Sequence, residues 1–228
     1  MGQGGSSFMK DSIKYLKLDL RISKRTLLTL APALIFMAYM FFKQQVYIFG
    51  IAYILLVKII CINTPFMAQA NDGLGQLYSI FPTKRSNMVM GRFMYFAMWY
   101  LITSFIEVIM IMYLYNINEI SNKKIIIIAL LEIITVIILF IQYPVSYKIG
   151  FQNSKTLLNI IGTLPGLIIL PLPSILINSN FLQSTLDIIS SFVINNDIIL
   201  ITVSILILIM IGYISYLISC RICKGKDV

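Results

Sequence analysis

Six long apolar stretches are spaced along the chain, at roughly 27–42, 46–66, 93–115, 125–142, 157–178 and 198–220, with polar connections between them. A helix needs about 20 mostly apolar residues to cross the hydrocarbon core of a bilayer, and each stretch is read as one such span. The first is short, and the second follows it after only Lys43, Gln44 and Gln45, which makes the two a tight helical hairpin. Ahead of the first span, Ile13, Leu16 and Leu20 share one helical face with lysines elsewhere, the pattern of an amphipathic helix lying among lipid headgroups. Within it "LKLDLRI" also alternates with period two, as a strand would, but no second strand is available to pair with it. The predicted fold class is therefore all-α. It comprises an amphipathic interfacial helix at 9–26, a six-helix transmembrane domain at 27–220 and a basic tail at 221–228. Residues 1–8, "MGQGGSSF", are small and polar, precede a second methionine and are read as an appended remnant outside the fold. They also fit the loose pattern M-G-x-x-x-[ST] of N-myristoylation.

Composition agrees with a lipid solvent. Apolar residues make up 59% of the chain and charged residues 12%, against about 25% in a soluble domain. Mean hydropathy is +0.90, and 228 residues leave no room for a further sizeable soluble domain. The net charge of +9 is unevenly distributed. Lys10, Lys14, Lys17, Arg21, Lys24 and Arg25 precede the first span, and Lys84, Arg85 and Arg92 lie between the second and third. Lys148 and Lys155 fall between the fourth and fifth, and Arg221, Lys224 and Lys226 follow the sixth. Only Lys43, Lys123 and Lys124 fall on the other side. Basic residues collect on the cytoplasmic side, so both termini are expected in the cytoplasm of a multi-pass cell-membrane protein. The counter-charge is then lipid headgroups, and nucleic acid is an unnecessary partner.

Candidate chemistry is sparse. The chain has no histidine, which excludes a His-based triad, a zinc-protease helix and a His relay. It has no G-x-x-x-x-G-K-[ST] phosphate loop, so it binds no ATP through one of its own. Cys220 and Cys223 form a C-x-x-C without a second pair and are read as reduced packing thiols. No catalytic and no metal-ligating residue is assigned. Three ionisable residues fall inside spans: Lys58, Glu107 and Glu132. At about 1.5 Å per residue the glutamates lie roughly 10–12 Å below the outer face and the lysine about 18 Å below it. Such groups are costly in hydrocarbon and mark either a Lys–Glu lock between helices or the lining of a solute pathway. In the fifth span Gly162 and Gly166 form a G-x-x-x-G, accompanied by Pro165, Pro171 and Pro173. Close helix approach at a dimer seam, or a pathway-lining helix, fits that composition.

The connection between the second and third spans is longer than a plain reversal needs, and it ends "LYSIFPTKRSNMVMGRFMY". Pro82 can open a new helix there, with Met88 and Val89 on its apolar side. This loop, the amphipathic N-terminal helix and six spans together resemble the small permeases of the ABC-2 type exporter class. That branch carries an acidic residue, Leu-Pro, basic residues and Val-x-Gly-Arg/Lys-Tyr in the same loop. Asp72, Pro82, Lys84, Arg85, Val89, Gly91, Arg92 and Tyr95 fill or nearly fill those places, and Phe81 replaces the usual leucine. In "YPVSYKIGFQNSKTL", Pro144, Lys148, Gly150 and Lys155 match the branch's second signature. The resemblance runs from Met9 to the end of the chain.

The resemblance implies a non-catalytic permease subunit whose short cytoplasmic coupling helices seat in grooves of a separate ATPase. It implies two ATPase copies that bind ATP and Mg, no cofactor on this chain, and a second permease copy or a paralogous permease. Asp72, Phe81, Pro82, Lys84, Arg85, Val89, Gly91, Arg92, Lys148, Gly150 and Lys155 become ATPase-coupling candidates, with Gly162 and Gly166 at the dimer interface. Exporters of this build move amphipathic or hydrophobic molecules, cytolytic and antimicrobial peptides among them. Two other classes also use a small polytopic chain. One is the substrate-capture subunit of a vitamin importer, which usually docks by an A-x-x-x-A that is absent here, and the other is a membrane immunity or sensor protein without transport.

Overall fold

The computed structural model describes residues 3–69, 85–149, 160, 163, 171 and 197–225. These form five helices: α1 (Gln3–Lys43), α2 (Tyr47–Gln69), α3 (Arg85–Asn116), α4 (Asn122–Ile149) and α5 (Asp197–Lys224). Each contains a segment long and apolar enough to cross a membrane. No strand occurs among the described residues. The span expected at 157–178 and the amphipathic stretch after it fall outside the described residues, apart from the isolated positions 160, 163 and 171.

The segment expected to lie flat at 9–26 and the first span run as one helix, α1. The reason is visible in its buried line. Ser12, Tyr15, Asp19 and Ser23 recur at helical spacing and are buried, while Lys10, Lys14, Lys17, Arg21, Lys24 and Arg25 are exposed. The contact face is thus mostly polar and sits one position round from Ile13, Leu16 and Leu20, which are only half-buried.

Two reversals close the opposite end of the bundle with the same geometry. Gln45 and Asn118 both adopt φ of 59°. After α1, the Val46 N–H donates to the Phe41 carbonyl and the Gln45 N–H to that of Phe42; after α3, Glu119 and Asn118 donate to Leu114 and Tyr115 in the same pattern. A left-handed residue with paired 6→1 and 5→2 bonds satisfies the last carbonyls of each helix and turns the chain within a few residues.

Helix α2 is the centre of the fold, packed against α1, α3 and α4, while α3 also meets α1 and α5, and α4 meets α5. Leu55, Ile59, Ile62 and Phe66 of α2 join Tyr15, Val89, Phe96, Leu131, Leu139, Tyr143 and Tyr147 in the main core. A smaller core of Ile51, Leu114, Ile120 and Ile128 lies near the reversals. Outside, Leu101, Phe105 and Met112 of α3 and Leu206, Ile209 and Met210 of α5 are exposed, as a lipid-facing surface requires.

The contact between α1 and α3 is closest at Gly91. A Cβ there would sit 2.7 Å from both the Ser12 carbonyl oxygen and the Tyr15 Cβ. A backbone atom cannot swing aside, so any side chain forces the two helices apart. Gly91→Ala is expected to destabilise the protein by about 1–3 kcal/mol, the cost of overpacking a close contact. Thermal unfolding in detergent, followed by size-exclusion fluorescence, measures this; a variant as stable as the parent would mean that α1 does not rest on α3 at this point.

Candidate functional site

Two clusters of buried polar side chains tie the helices together at different levels. The deeper one is built on Lys58, halfway along α2. Its Nζ donates to Glu132 Oε1 at 2.5 Å, Ser104 Oγ at 3.0 Å and Glu107 Oε2 at 3.1 Å. An ammonium has three protons, and these acceptors use all of them. The Tyr100 ring lies 4.9 Å from the same nitrogen, presenting its negative face to the charge. The Lys58 side chain is fully buried and that of Glu107 is 5% exposed, whereas Glu132 retains 18%. The difference in level between the lysine and the glutamates, about 6–8 Å along the helices, is within reach of the four-carbon stem. Two carboxylates face one ammonium, so α3 and α4 are both held to α2 through a single side chain. The sequence favours Glu107 slightly as the partner; the structure brings both glutamates to Lys58, Glu132 being the nearer.

The second cluster lies where α2 ends and α3 begins. Arg92, in the second turn of α3, is fully buried. Its Nη2 donates to Gln69 Oε1 at the last residue of α2, and its Nε lies 3.7 Å from Asp19 Oδ2 of α1. The guanidinium is stacked 4.4 Å from the Phe66 ring and 5.7 Å from that of Tyr147. The Tyr143 hydroxyl donates to the Arg92 carbonyl at 3.4 Å, and the Tyr95 hydroxyl to the Cys61 carbonyl at 3.1 Å. Between the two levels, Asn63 Nδ2 donates to Gln142 Oε1 at 3.1 Å.

The other sequence-assigned residues fall as follows. Met88, Val89 and Gly91 are in the first turns of α3, with Met88 and Val89 buried in the core and Gly91 against α1. Arg92 is buried with them among the described residues. Arg85 opens α3, and Lys148 is exposed in the last turn of α4. Asp72, Phe81, Pro82, Lys84, Gly150, Lys155, Gly162 and Gly166 lie outside the described residues. Cys220 and Cys223 are buried thiols of the main core, outside any disulfide. Asp19, Gln69 and Ser104 carry neither site by hydropathy alone. The available signal for Asp19 is that it is an acid in a strongly basic segment, at helical spacing from Ser12, Tyr15 and Ser23.

This arrangement can fix helix register and hold countercharge in an apolar interior. The family model described as ABC-2 family transporter protein matches residues 15–224. No curated protein and no solved structure matches the chain.

Charge balance around Lys58 makes an asymmetric prediction. Lys58→Met leaves two glutamates facing each other and should cost about 3–5 kcal/mol, with a sharp fall in folded protein. Glu107→Gln or Glu132→Gln leaves a one-to-one pair and should be milder. The triple variant should recover much of the lost yield, because no uncompensated charge remains. Yield of monodisperse protein from membranes is the measurement; equal damage from all single variants would sink this account.

Proposed function

The chain belongs to the ABC-2 transporter family, whose members are permease subunits of ABC transporters, and from that premise we propose that it exports amphipathic or hydrophobic molecules, cytolytic or antimicrobial peptides foremost. The observation that carries this reading is a family match over nearly the whole chain in a sequence without a phosphate loop. A permease with no nucleotide site of its own must draw energy from another chain. The partner is a cytoplasmic ATPase in two copies, which binds ATP and Mg. Two permeases complete the assembly, either identical or paralogous, with Gly162 and Gly166 as the close seam between them.

The concentration of basic residues in the first half of α1, around 84–92 and at the end of α5 supports a cytoplasmic position for both termini and for the connection at 70–84. Pro82 sets the turn of that connection, and Lys84 and Arg85 meet acidic side chains of the ATPase or lipid phosphates. Lys148, Gly150 and Lys155 form a second contact on the same side. Asp72 and Phe81 complete the loop that seats in the partner. Support for the substrate class comes from what surrounds a solute: outward-facing Leu, Ile, Phe and Met on α3 and α5. An amphipathic peptide can move along such a boundary, whereas a large hydrated solute would need a polar duct. Phenol-soluble modulins, which are amphipathic cytolytic peptides, are one substrate of this class.

Replacing Lys84 and Arg85 together by glutamate tests the coupling. Membrane insertion should be unchanged, while affinity for the co-expressed ATPase falls at least about tenfold and export stops, because two attractive contacts become repulsive. Co-purification from nanodiscs and peptide release from cells measure the two effects. Parental association and export in the double variant would overturn this role for the loop.

A further inference from the structure

The ends of α2 and α4 and the start of α3, on the proposed ATPase side, converge with α1 on one side chain. Gln69 is the last residue of α2 and immediately precedes the 70–84 connection; Arg85 follows that connection, and Arg92 lies two turns further into α3. Tyr147 lies two residues before the end of α4, next to Lys148 and the connection that begins at 150. Asp19 belongs to α1. The Arg92 guanidinium touches Gln69, Tyr147 and Asp19 at once, and it is fully buried.

We propose that Arg92 is the positioning residue that couples the two connections to each other and to α1. A displacement imposed on either connection then reaches the membrane-embedded helices as one movement. This rests on the reading of the chain as an ATPase-driven permease. It goes further in naming which buried side chain carries the motion inward from the loop surface.

Three features favour Arg92 for the task. Guanidinium is a rigid, permanently charged fork that makes contacts in several directions, which a lysine ammonium at the end of a flexible stem does not reproduce. Gly91, its neighbour, brings the α1 backbone close enough that Asp19, one turn beyond Tyr15, faces the guanidinium. The Lys58 cluster binds α2, α3 and α4 at a deeper level but does not include α1. The Arg92 cluster is therefore the level at which α1 joins the other three, by an ion pair to α3 and by hydrogen-bond and ring contacts of the same guanidinium to α2 and α4. Buried charged contacts hold a discrete geometry, so the cluster moves as a unit or breaks.

The test uses the full-length permease in nanodiscs, alone and with its co-expressed ATPase, as parent, Arg92→Lys, Arg92→Gln and Asp19→Asn. In the permease alone, hydrogen exchange of segments 61–69, 85–95 and 140–149 should accelerate together, by about tenfold, in Arg92→Lys. In the complex, Arg92→Lys and Asp19→Asn should bind ATPase as the parent does, yet transport per ATP hydrolysed should fall by about tenfold. A merely structural role predicts lower thermal stability with an unchanged transport-to-hydrolysis ratio. If Arg92→Gln does not insert, the two conservative variants decide. Parental exchange in all three segments, or a parental ratio in both conservative variants, would overturn the proposal. A parent chain that retains no ATPase would instead overturn the transporter reading, while the exchange experiment still decides whether Arg92 links the segments.

Discussion

A lysine in the middle of an apolar helix constrains everything around it. Leaving Lys58 unpaired in hydrocarbon would cost more than the bundle could offset, so acceptors must reach it from neighbouring helices. Ser104 and Glu107 come from α3 and Glu132 from α4. Helix α2 cannot slide or rotate past either neighbour without breaking a charged contact. The apolar side chains of α2 could pack in several registers on equally apolar partners; the ammonium admits one. Specificity of this kind is a function that charged groups perform in an environment where burial of apolar surface provides little preference between arrangements.

The aromatic shell works at a second level. Phe66 meets Tyr143 and Tyr147 edge-on, and Phe93 meets Tyr143 and Tyr216 edge-on, so rings from α2, α3, α4 and α5 share one layer. Arg92 sits against this layer, its charge shared between Asp19 and the ring faces. A buried ion pair packed among rings is sensitive to small displacements, because a surrounding of low dielectric compensates a lost contact poorly.

Much of the fold was legible from hydropathy, because spans in a bilayer are set by length and apolarity. The apolar runs at 27–42, 46–66, 93–115, 125–142 and 198–220 lie within helices, apart from Val46. Lys58, Glu107 and Glu132 were legible as a set because each is an isolated charge in an apolar run. That both glutamates share one lysine depends on helix arrangement, which the sequence does not carry. Arg92 and Asp19 were harder to place. Both stand near span ends, where charge is ordinarily solvated, so Arg92 counts there as one more topology signal. Its burial follows from the extension of α3 back to Arg85 and of α1 out to Gln3, which covers a level that a span boundary would leave in water. The polar line Ser12, Asp19, Ser23 has no hydropathy signature, since a helix seated on a buried cation presents polar residues inward. Asp72, Phe81, Pro82, Lys84, Gly150, Lys155, Gly162 and Gly166 stand where the described residues stop.

The unbroken run of α1 has a mechanical consequence. At 41 residues it is about 60 Å long, roughly twice the hydrocarbon thickness of a bilayer. Its tight seat on Gly91, near Tyr15, lies close to one end, leaving 28 residues, about 42 Å, to Lys43. A rod held at such a point is a lever with unequal arms. A tilt of about 10° at the seat would carry the far end through about 7 Å, more than one helical turn. Pro32, which removes a backbone hydrogen bond within the long arm, is where that lever bends most readily. Because the reversal at Gln44 and Gln45 ties that far end to α2, such a tilt would carry the start of α2 with it.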